Sequence, residues 1–177
     1  STATYTSTPQ TPLFGPGQGS TCGPLFWLLC FCLIVDSIDP ELSTALFTSV
    51  CMNIIVRTVG TAFVDDSSLS VTSTYTRNPA ISTAQNDTED TNNTIQALSI
   101  LAQHWERLLF STGGAINMQK SFWYLMAWVW KNGLPTLAPT TKASGEVKLT
   151  SGLSNTLQTV PRIEPTDAFR TLGIHLS

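Results

Sequence analysis

Charge is scarce in this sequence. Asp, Glu, Lys and Arg make up 12 % of its 177 residues, about half the ~25 % of an ordinary domain, and the formal net charge is -3. Nine scattered basic residues exclude a protein that coats nucleic acid with a basic surface. So low a charge content also excludes a coiled coil, whose flanking positions are rich in Glu and Lys. Long hydrophobic runs are missing too. The longest, Leu25 to Val35, has eleven residues, where a membrane-spanning helix needs roughly 20. It has no basic stretch before it and no small-residue cleavage site after it, unlike a signal peptide. No membrane partner is expected. The four cysteines, Cys22, Cys30, Cys32 and Cys51, lack CxxC spacing and a nearby His, so they read as reduced core thiols before disulfides or zinc ligands. There is no Gly-X-Ser-X-Gly elbow, Walker-type loop or aspartic-protease Asp-Thr/Ser-Gly loop. His104 and His175 have no Ser or Cys partner at a recognisable spacing and read as solvated or satisfied side chains.

What is present supports one domain with a core. Hydrophobic residues reach 42 %, which excludes wholesale disorder, and the length suits a single unit. Ser and Thr number 44, and the glycosylation sequons at Asn86 and Asn92 are expected by chance in such a composition. Residues 1–14 read as an edge strand or extended lead-in, and Gly15-Pro16-Gly17-Gln18-Gly19-Ser20 as a tight loop. Pro24, at N1, opens a helix running to about Ser37; apolar all round, it is expected to be buried. After a turn near Asp39-Pro40, residues 41–53 read as a short helix or irregular chain. Ile54 to Val64 is β-like, and beyond Asp65-Asp66 the residues Leu69 and Val71 alternate with polar ones, which makes a hairpin with two acids at its tip. Residues 74–93 read as a mobile polar loop. Ile95, Leu98, Ala102, Trp105, Leu108 and Leu109 recur at helical spacing, giving a helix of about 94–111 that ends at Gly113-Gly114. A central strand is expected over Ala115–Trp130, with the tryptophans at 123, 128 and 130 building core rather than stacking nucleobases. The turn Asn132-Gly133 favours a hairpin. Strands near 146–150, 157–163 and 168–176 complete the chain.

The chemistry-bearing candidate is Phe63-Val64-Asp65-Asp66. Neighbouring carboxylates at the tip of an apolar hairpin repel unless a cation neutralises them. Mg²⁺ suits, because it takes one or two carboxylates plus waters and substrate phosphates. Alone, the dipeptide reads as a polar β-turn, which Asp favours, before it reads as a metal site. Its surroundings shift the reading. Gln18-Gly19 and Gly23-Pro24-Leu25-Phe26 precede the acids; Gly113-Gly114-Ala115-Ile116-Asn117-Met118-Gln119-Lys120 and then Phe169-Arg170-Thr171-Leu172-Gly173-Ile174 follow them.

This order resembles the palm of reverse transcriptases, particularly those of non-LTR (LINE-type) retrotransposons. There, a Gln-Gly loop and helix precede an aromatic-X-Asp-Asp hairpin, and a helix, a Gly-X-X-X-Asn-X-X-Lys segment and a Leu-Gly hairpin follow. The resemblance implies an α+β fold, a polymerase palm-like antiparallel sheet with helices packed on one face. It implies two Mg²⁺ ions, or Mn²⁺ in their place, held by Asp65 with Asp66 as a less direct participant. Gln18, Gly19 and Phe63 would line the nucleotide and template pocket. Lys120 would stand near the incoming triphosphate, though it reads equally as an ordinary surface lysine. Leu172 and Gly173 would grip the primer end. Partners would be an RNA template, a DNA primer, dNTPs and the remainder of a parent polyprotein, in the nucleus or cytoplasm. The implied reaction is attack of a primer 3′-hydroxyl on the α-phosphate of a dNTP, with pyrophosphate released.

Two departures bear on this. No Asp or Glu precedes Asp36, and Asp36, Asp39 and Glu41 read as helix-terminal or solvated acids. A further metal-binding carboxylate and the fingers are therefore expected upstream, and the thumb downstream, leaving the 177 residues a single partial domain that is inactive alone. Gly23 stands where the family often has Ser. A non-catalytic retroelement remnant with a structural or nucleic-acid-binding role remains an alternative, as does a Ser/Thr-rich β-domain of an exported protein.

Overall fold

The computed structural model describes residues 21–38, 44–63, 66–167, 169–171 and 174–176, with Phe63, 169–171 and 174–176 described by backbone alone. The expected strand over 1–14, the Gly15–Ser20 loop and the Asp39-Pro40 turn lie outside these residues. The fold is α+β. In chain order come α1 (Gly23–Asp36), β1 (Ala45–Thr48), β2 (Ile55–Thr58), β3 (Gly60–Phe63), β4 (Asp66–Leu69) and α2 (Thr83–Ser111). There follow β5 (Trp128–Lys131), β6 (Leu134–Leu137), β7 (Val147–Thr150), β8 (Leu157–Val160), β9 (Phe169–Thr171) and β10 (Ile174–Leu176). The strands pair as five separate two-stranded antiparallel ribbons, each formed by consecutive strands, and not as one sheet. Two-stranded ribbons are marginal alone in water, so each depends on packing against something else.

For β3–β4 and β7–β8 that something is α2. Its stripe meets two apolar clusters: Ile95 joins Trp123, Val147, Leu149 and Val160, while Leu101 and Trp105 join Ile34 and Ile38. Polar side chains fasten the same helix to β7. Gln103 accepts the Thr150 N–H at 2.7 Å and donates to the Thr150 carbonyl at 3.1 Å, completing both bonds that a neighbouring strand would make. One turn on, the buried Glu106 accepts the Gly152 N–H at 2.6 Å.

The helix begins twelve residues before its apolar stripe does, so the expected loop over 74–93 is helical from Thr83. Ser82 and Gln85 form a reciprocal capping box, which satisfies two of the orphan N–H donors at the start. Asn86, buried, accepts from the Tyr75 hydroxyl and the Asn78 N–H and donates to the Asn78 carbonyl. This sequon asparagine is a strut. At the other end Gly113 sits at φ 85°, the left-handed C′ position that glycine adopts without strain.

Other expectations are corrected. α1 forms as anticipated but is not buried: Leu25, Phe26, Leu28, Leu29 and Leu33 are exposed, and Ile34 is its one fully buried residue. Phe31 meets Trp105 edge-on at 5.9 Å, so only one side of an all-apolar helix finds α2. Residues 45–48 are a strand, because Ala45 to Thr48 pair with Thr58 to Ile55. Cys22, Cys32 and Cys51 are exposed and Cys30 half-buried, so the thiols are not core residues; no disulfide forms among the described residues. No central strand spans 115–130. Trp123 makes a lone parallel bridge to Arg162, taking the Pro161 carbonyl and giving its own carbonyl to Ile163, both at 3.0 Å. Trp123 is core; Trp128 and Trp130, at 63 % and 75 % exposure, are not. The Asn132-Gly133 turn forms with both residues at positive φ, 53° and 77°, as a type I′ hairpin requires. The expected strand over 168–176 is the β9–β10 hairpin, Thr171 opposite Ile174.

Glu164 ties the 140s to the chain end. Its carboxylate accepts the Thr140 hydroxyl and, at 3.0 Å, the Thr140 N–H. The hydroxyl first, then the N–H, hold this carboxyl below the usual glutamate range. A depressed carboxylate stabilises the fold above its unfolded pKa, about 4.3, and that contribution is lost as pH falls through the folded value. Thr140→Val is therefore expected to lower the urea midpoint at pH 7, with the gap to wild type closing as the pH drops below the ordinary glutamate range; an unchanging gap would contradict this pairing.

Candidate functional site

The two-acid hairpin forms where the alternation placed it. β3 and β4 pair antiparallel from Gly60 opposite Leu69 to Phe63 opposite Asp66, so the aromatic and the second aspartate of Phe63-Val64-Asp65-Asp66 face each other across the ribbon. Val64 and Asp65 lie outside the described residues. Asp66, Ser67 and Ser68 are exposed. Leu69, Val59 and Val71 anchor the base of the ribbon on the Ile34, Leu101 and Trp105 cluster. Gly60 is required here, since a Cβ would strike the Ser68 carbonyl. The Ser70 N–H reaches the Val59 carbonyl at 2.8 Å, and the Ser70 carbonyl accepts the Ala45 N–H at 3.1 Å, tying the hairpin to β1.

The segment carrying Lys120 reaches the same core. Gly114 approaches Leu109 so closely that a Cβ would lie 2.8 Å from its side chain, which turns the chain back over α2. Ile116 then packs on both clusters. Asn117 folds the next turn: its side-chain oxygen accepts the Gln119 N–H at 3.1 Å and its carbonyl accepts the Lys120 and Ser121 N–H groups at 3.0 Å. Lys120 projects from this turn, exposed. Three motif-bearing pieces therefore converge on one core. They are α1 through Phe31 and Ile34, the hairpin through Leu69 and the 113–120 segment through Ile116.

Gln18, Gly19, Asp65, Leu172 and Gly173 lie outside the described residues, so no geometry joins them to Asp66. Among the described residues no three His, Cys, Asp or Glu side chains cluster as a metal site. The donor set that the hairpin offers is carboxylate oxygen from adjacent aspartates, which fits one Mg²⁺ completed by water and phosphate; a second ion calls for another carboxylate. His104 Nε2 lies 3.4 Å from the Ser37 carbonyl. A shallow depression of about 410 Å³ on α2, edged by Gln96, Gln103, His104, Arg107 and Lys148, does not include Asp66 or Lys120.

Sequence reasoning missed the exposure of Trp128 and Trp130. The available signal was the Asn132-Gly133 turn, which pairs these residues into a ribbon that has no third strand among the described residues. Comparison of the chain with family models, curated proteins and solved structures gives no match. No helix among the described residues is long and apolar enough to cross a membrane.

The register that puts Asp66 opposite Phe63 depends on Gly60. Gly60→Ala is expected to lower the unfolding free energy by about 2 kcal/mol, as overpacking against rigid backbone does. It should also raise amide exchange specifically over residues 60–70, and unaltered exchange there would contradict the close approach.

Proposed function

We propose that this chain is the palm region of a retroelement RNA-directed DNA polymerase, similar to non-LTR reverse transcriptases. The observation that carries the reading is the convergence of α1, the Asp66 hairpin and the Lys120 turn on one core, in the chain order that the motifs predict. The antiparallel β9–β10 pair around 172–173 supports the Leu-Gly hairpin of the same order. In this reading the ribbons join a palm-like sheet with strands contributed by the rest of the polymerase.

The reaction joins a primer 3′-hydroxyl oxygen to the α-phosphorus of a dNTP on an RNA template; the bond to the β-phosphate oxygen breaks and pyrophosphate leaves. Mg²⁺, when bound, stabilises charge on the attacking and leaving oxygens. Asp65 is its principal protein ligand and Asp66 its neighbour, with Mn²⁺ an acceptable substitute. A turn tip is well suited to this work, since its carboxylates can face a groove while the ribbon behind stays fixed by Leu69. Lys120 sits near the triphosphate, where its ammonium group screens the departing pyrophosphate. Gln18, Gly19 and Phe63 line the nucleotide and template pocket, glycine allowing the backbone to approach a base or sugar. Leu172 and Gly173 hold the primer end. None of these residues reacts covalently, which suits a reaction dominated by alignment and electrostatics.

The test is primer extension by the polymerase that carries this palm. Asp65→Ala is expected to reduce extension at least a hundredfold, the scale of losing a main electrostatic stabiliser, with RNA–primer binding within about twofold of wild type on the same scale of effects. Extension retained by Asp65→Ala would refute the metal role. A wild-type polymerase that binds template but never extends it would favour the non-catalytic remnant.

A further inference from the structure

Every residue of the β5–β6 ribbon from Trp128 to Pro135 is exposed, and among the described residues no third strand joins the pair. Its own ladder closes it, with Trp128 opposite Leu137 and Lys131 opposite Leu134. The Thr136 hydroxyl adds a bond to the Val129 carbonyl at 3.2 Å. A two-stranded ribbon without cover is marginal in water, so this one opens locally far more often than the core unfolds. At its tip Asn132 and Gly133 take φ 53° and 77°. The Gly133 N–H lies outside the ladder of a two-residue turn, and a Cβ built on Gly133 would meet no atom within 4 Å. Water has free access to this turn.

An asparagine followed by glycine carries a reactive pair of its own: a side-chain amide carbon and, one residue on, a main-chain nitrogen that no side chain shields. Eight asparagines occur in the chain, and Asn132 alone precedes glycine. The others are closed to this chemistry for separate reasons. Asn78 precedes Pro79, whose nitrogen has no proton. Asn86, Asn92 and Asn93 lie within α2, where each following N–H is bonded to a carbonyl four residues back. Asn53 and Asn155 precede Ile54 and Thr156, whose branched Cβ atoms crowd the nitrogen, and the Ile54 N–H is already given to the Ser49 hydroxyl at 3.1 Å. The Asn117 side chain is fixed on the Gln119 N–H at 3.1 Å.

We infer that Asn132 is a site of spontaneous covalent modification, converted to aspartate and isoaspartate in the folded chain, and that this conversion unlocks the β5–β6 ribbon. The Gly133 nitrogen bonds to the Asn132 Cγ and gives up its proton. The Cγ–Nδ2 bond breaks and ammonia leaves with that proton, closing a succinimide ring. Water then adds at one of the two ring carbonyls. Cleavage between the nitrogen and Cγ gives aspartate; cleavage between the nitrogen and the main-chain carbonyl carbon gives isoaspartate, whose chain runs on through Cβ and Cγ. Ring closure needs the Gly133 nitrogen on the same side as Cβ, and the left-handed turn conformation holds it on the other. The closed hairpin therefore protects Asn132, and each opening exposes it. Isoaspartate adds a methylene to the main chain, which a two-residue turn cannot absorb, so Lys131 no longer faces Leu134. The step needs only solvent water and rests on no part of the polymerase reading.

Peptide mass mapping of the full chain during incubation in mildly alkaline buffer tests this, with the same incubation in guanidinium chloride as the open reference. The peptide carrying Asn132 is expected to gain the mass of exchanging NH for O before any other asparagine peptide does, with isoaspartate resolved from aspartate by fragmentation. Its rate in the folded chain should lie about tenfold below the rate in guanidinium, an opening cost of about 1.4 kcal/mol. Thr136→Gly, which removes the bond to Val129 and weakens the strand, should close most of that gap. Amide exchange over 128–137 should rise as the wild-type chain ages. In Asn132→Gly, whose Gly-Gly pair also suits a type I′ turn, it should stay constant through the same incubation. Conversion of another asparagine first would overturn the assignment, and so would an Asn132 that stays intact in the folded chain while the guanidinium sample converts. Unaltered exchange over 128–137 in a chain carrying isoaspartate at position 132 would overturn the unlocking.

Discussion

Burial against α2 is the constraint on which the rest of the structure depends. Five ribbons that share no sheet cannot stabilise one another through backbone ladders. Two of them, β7–β8 through Val147, Leu149 and Val160 and β3–β4 through Leu69, are held because one helix carries Ile95 into one apolar cluster and Leu101 and Trp105 into another. Ile116 touches both clusters, so the turn after the helix locks them together. The polar fastening of β7 by Gln103 and Glu106 adds direction to what apolar burial leaves loose, because each bond specifies one backbone atom of Thr150 or Gly152. The Asp66 hairpin is positioned by Leu69 and the Lys120 turn by Ile116, which pack on the same cluster of Ile34, Ile38, Leu101 and Trp105.

The same constraint explains what remains uncovered. α1 has apolar residues on every side but a single helical neighbour, so Leu25, Leu29 and Leu33 face water. Among the described residues no second layer covers the β5–β6 ribbon, so residues 128–135 face water too. Exposed apolar area on this scale marks surfaces that meet other molecules or other parts of a larger protein.

Legibility followed the physical signals that dominate locally. The C-terminal half of α2 was readable because Ile95, Leu98, Ala102 and Trp105 form a stripe, and its stop because Gly113 takes positive φ. Its N-terminal half was not: 83–93 carry no apolar stripe, and their helix rests on the Ser82–Gln85 box and the buried Asn86, which are side-chain events invisible to periodicity. The two hairpins at Asp65-Asp66 and Asn132-Gly133 were readable from turn chemistry. Aromatic density over 115–127 misled, because Trp123 is buried through isolated bonds to Pro161 and Ile163 and not within a ladder. The candidate site was legible as an order of motifs; the order cannot say that three of them share a core, which only packing reveals. Burial of α1 and of Trp128 failed for one reason: hydrophobicity names what prefers to be covered, not whether a partner is at hand.

The proposed function requires that Asp65 and Asp66, where β3 turns into β4, bind a divalent cation against phosphate. Paramagnetic line broadening by Mn²⁺ tests this most directly, since it detects weak binding and reports position residue by residue. The account predicts that substoichiometric Mn²⁺ broadens amides around 63–68 first, that Mg²⁺ reverses the effect, and that Asp65→Asn abolishes it. Broadening that begins at Glu164 and Asp167, or that spreads evenly over all twelve acids, would contradict it.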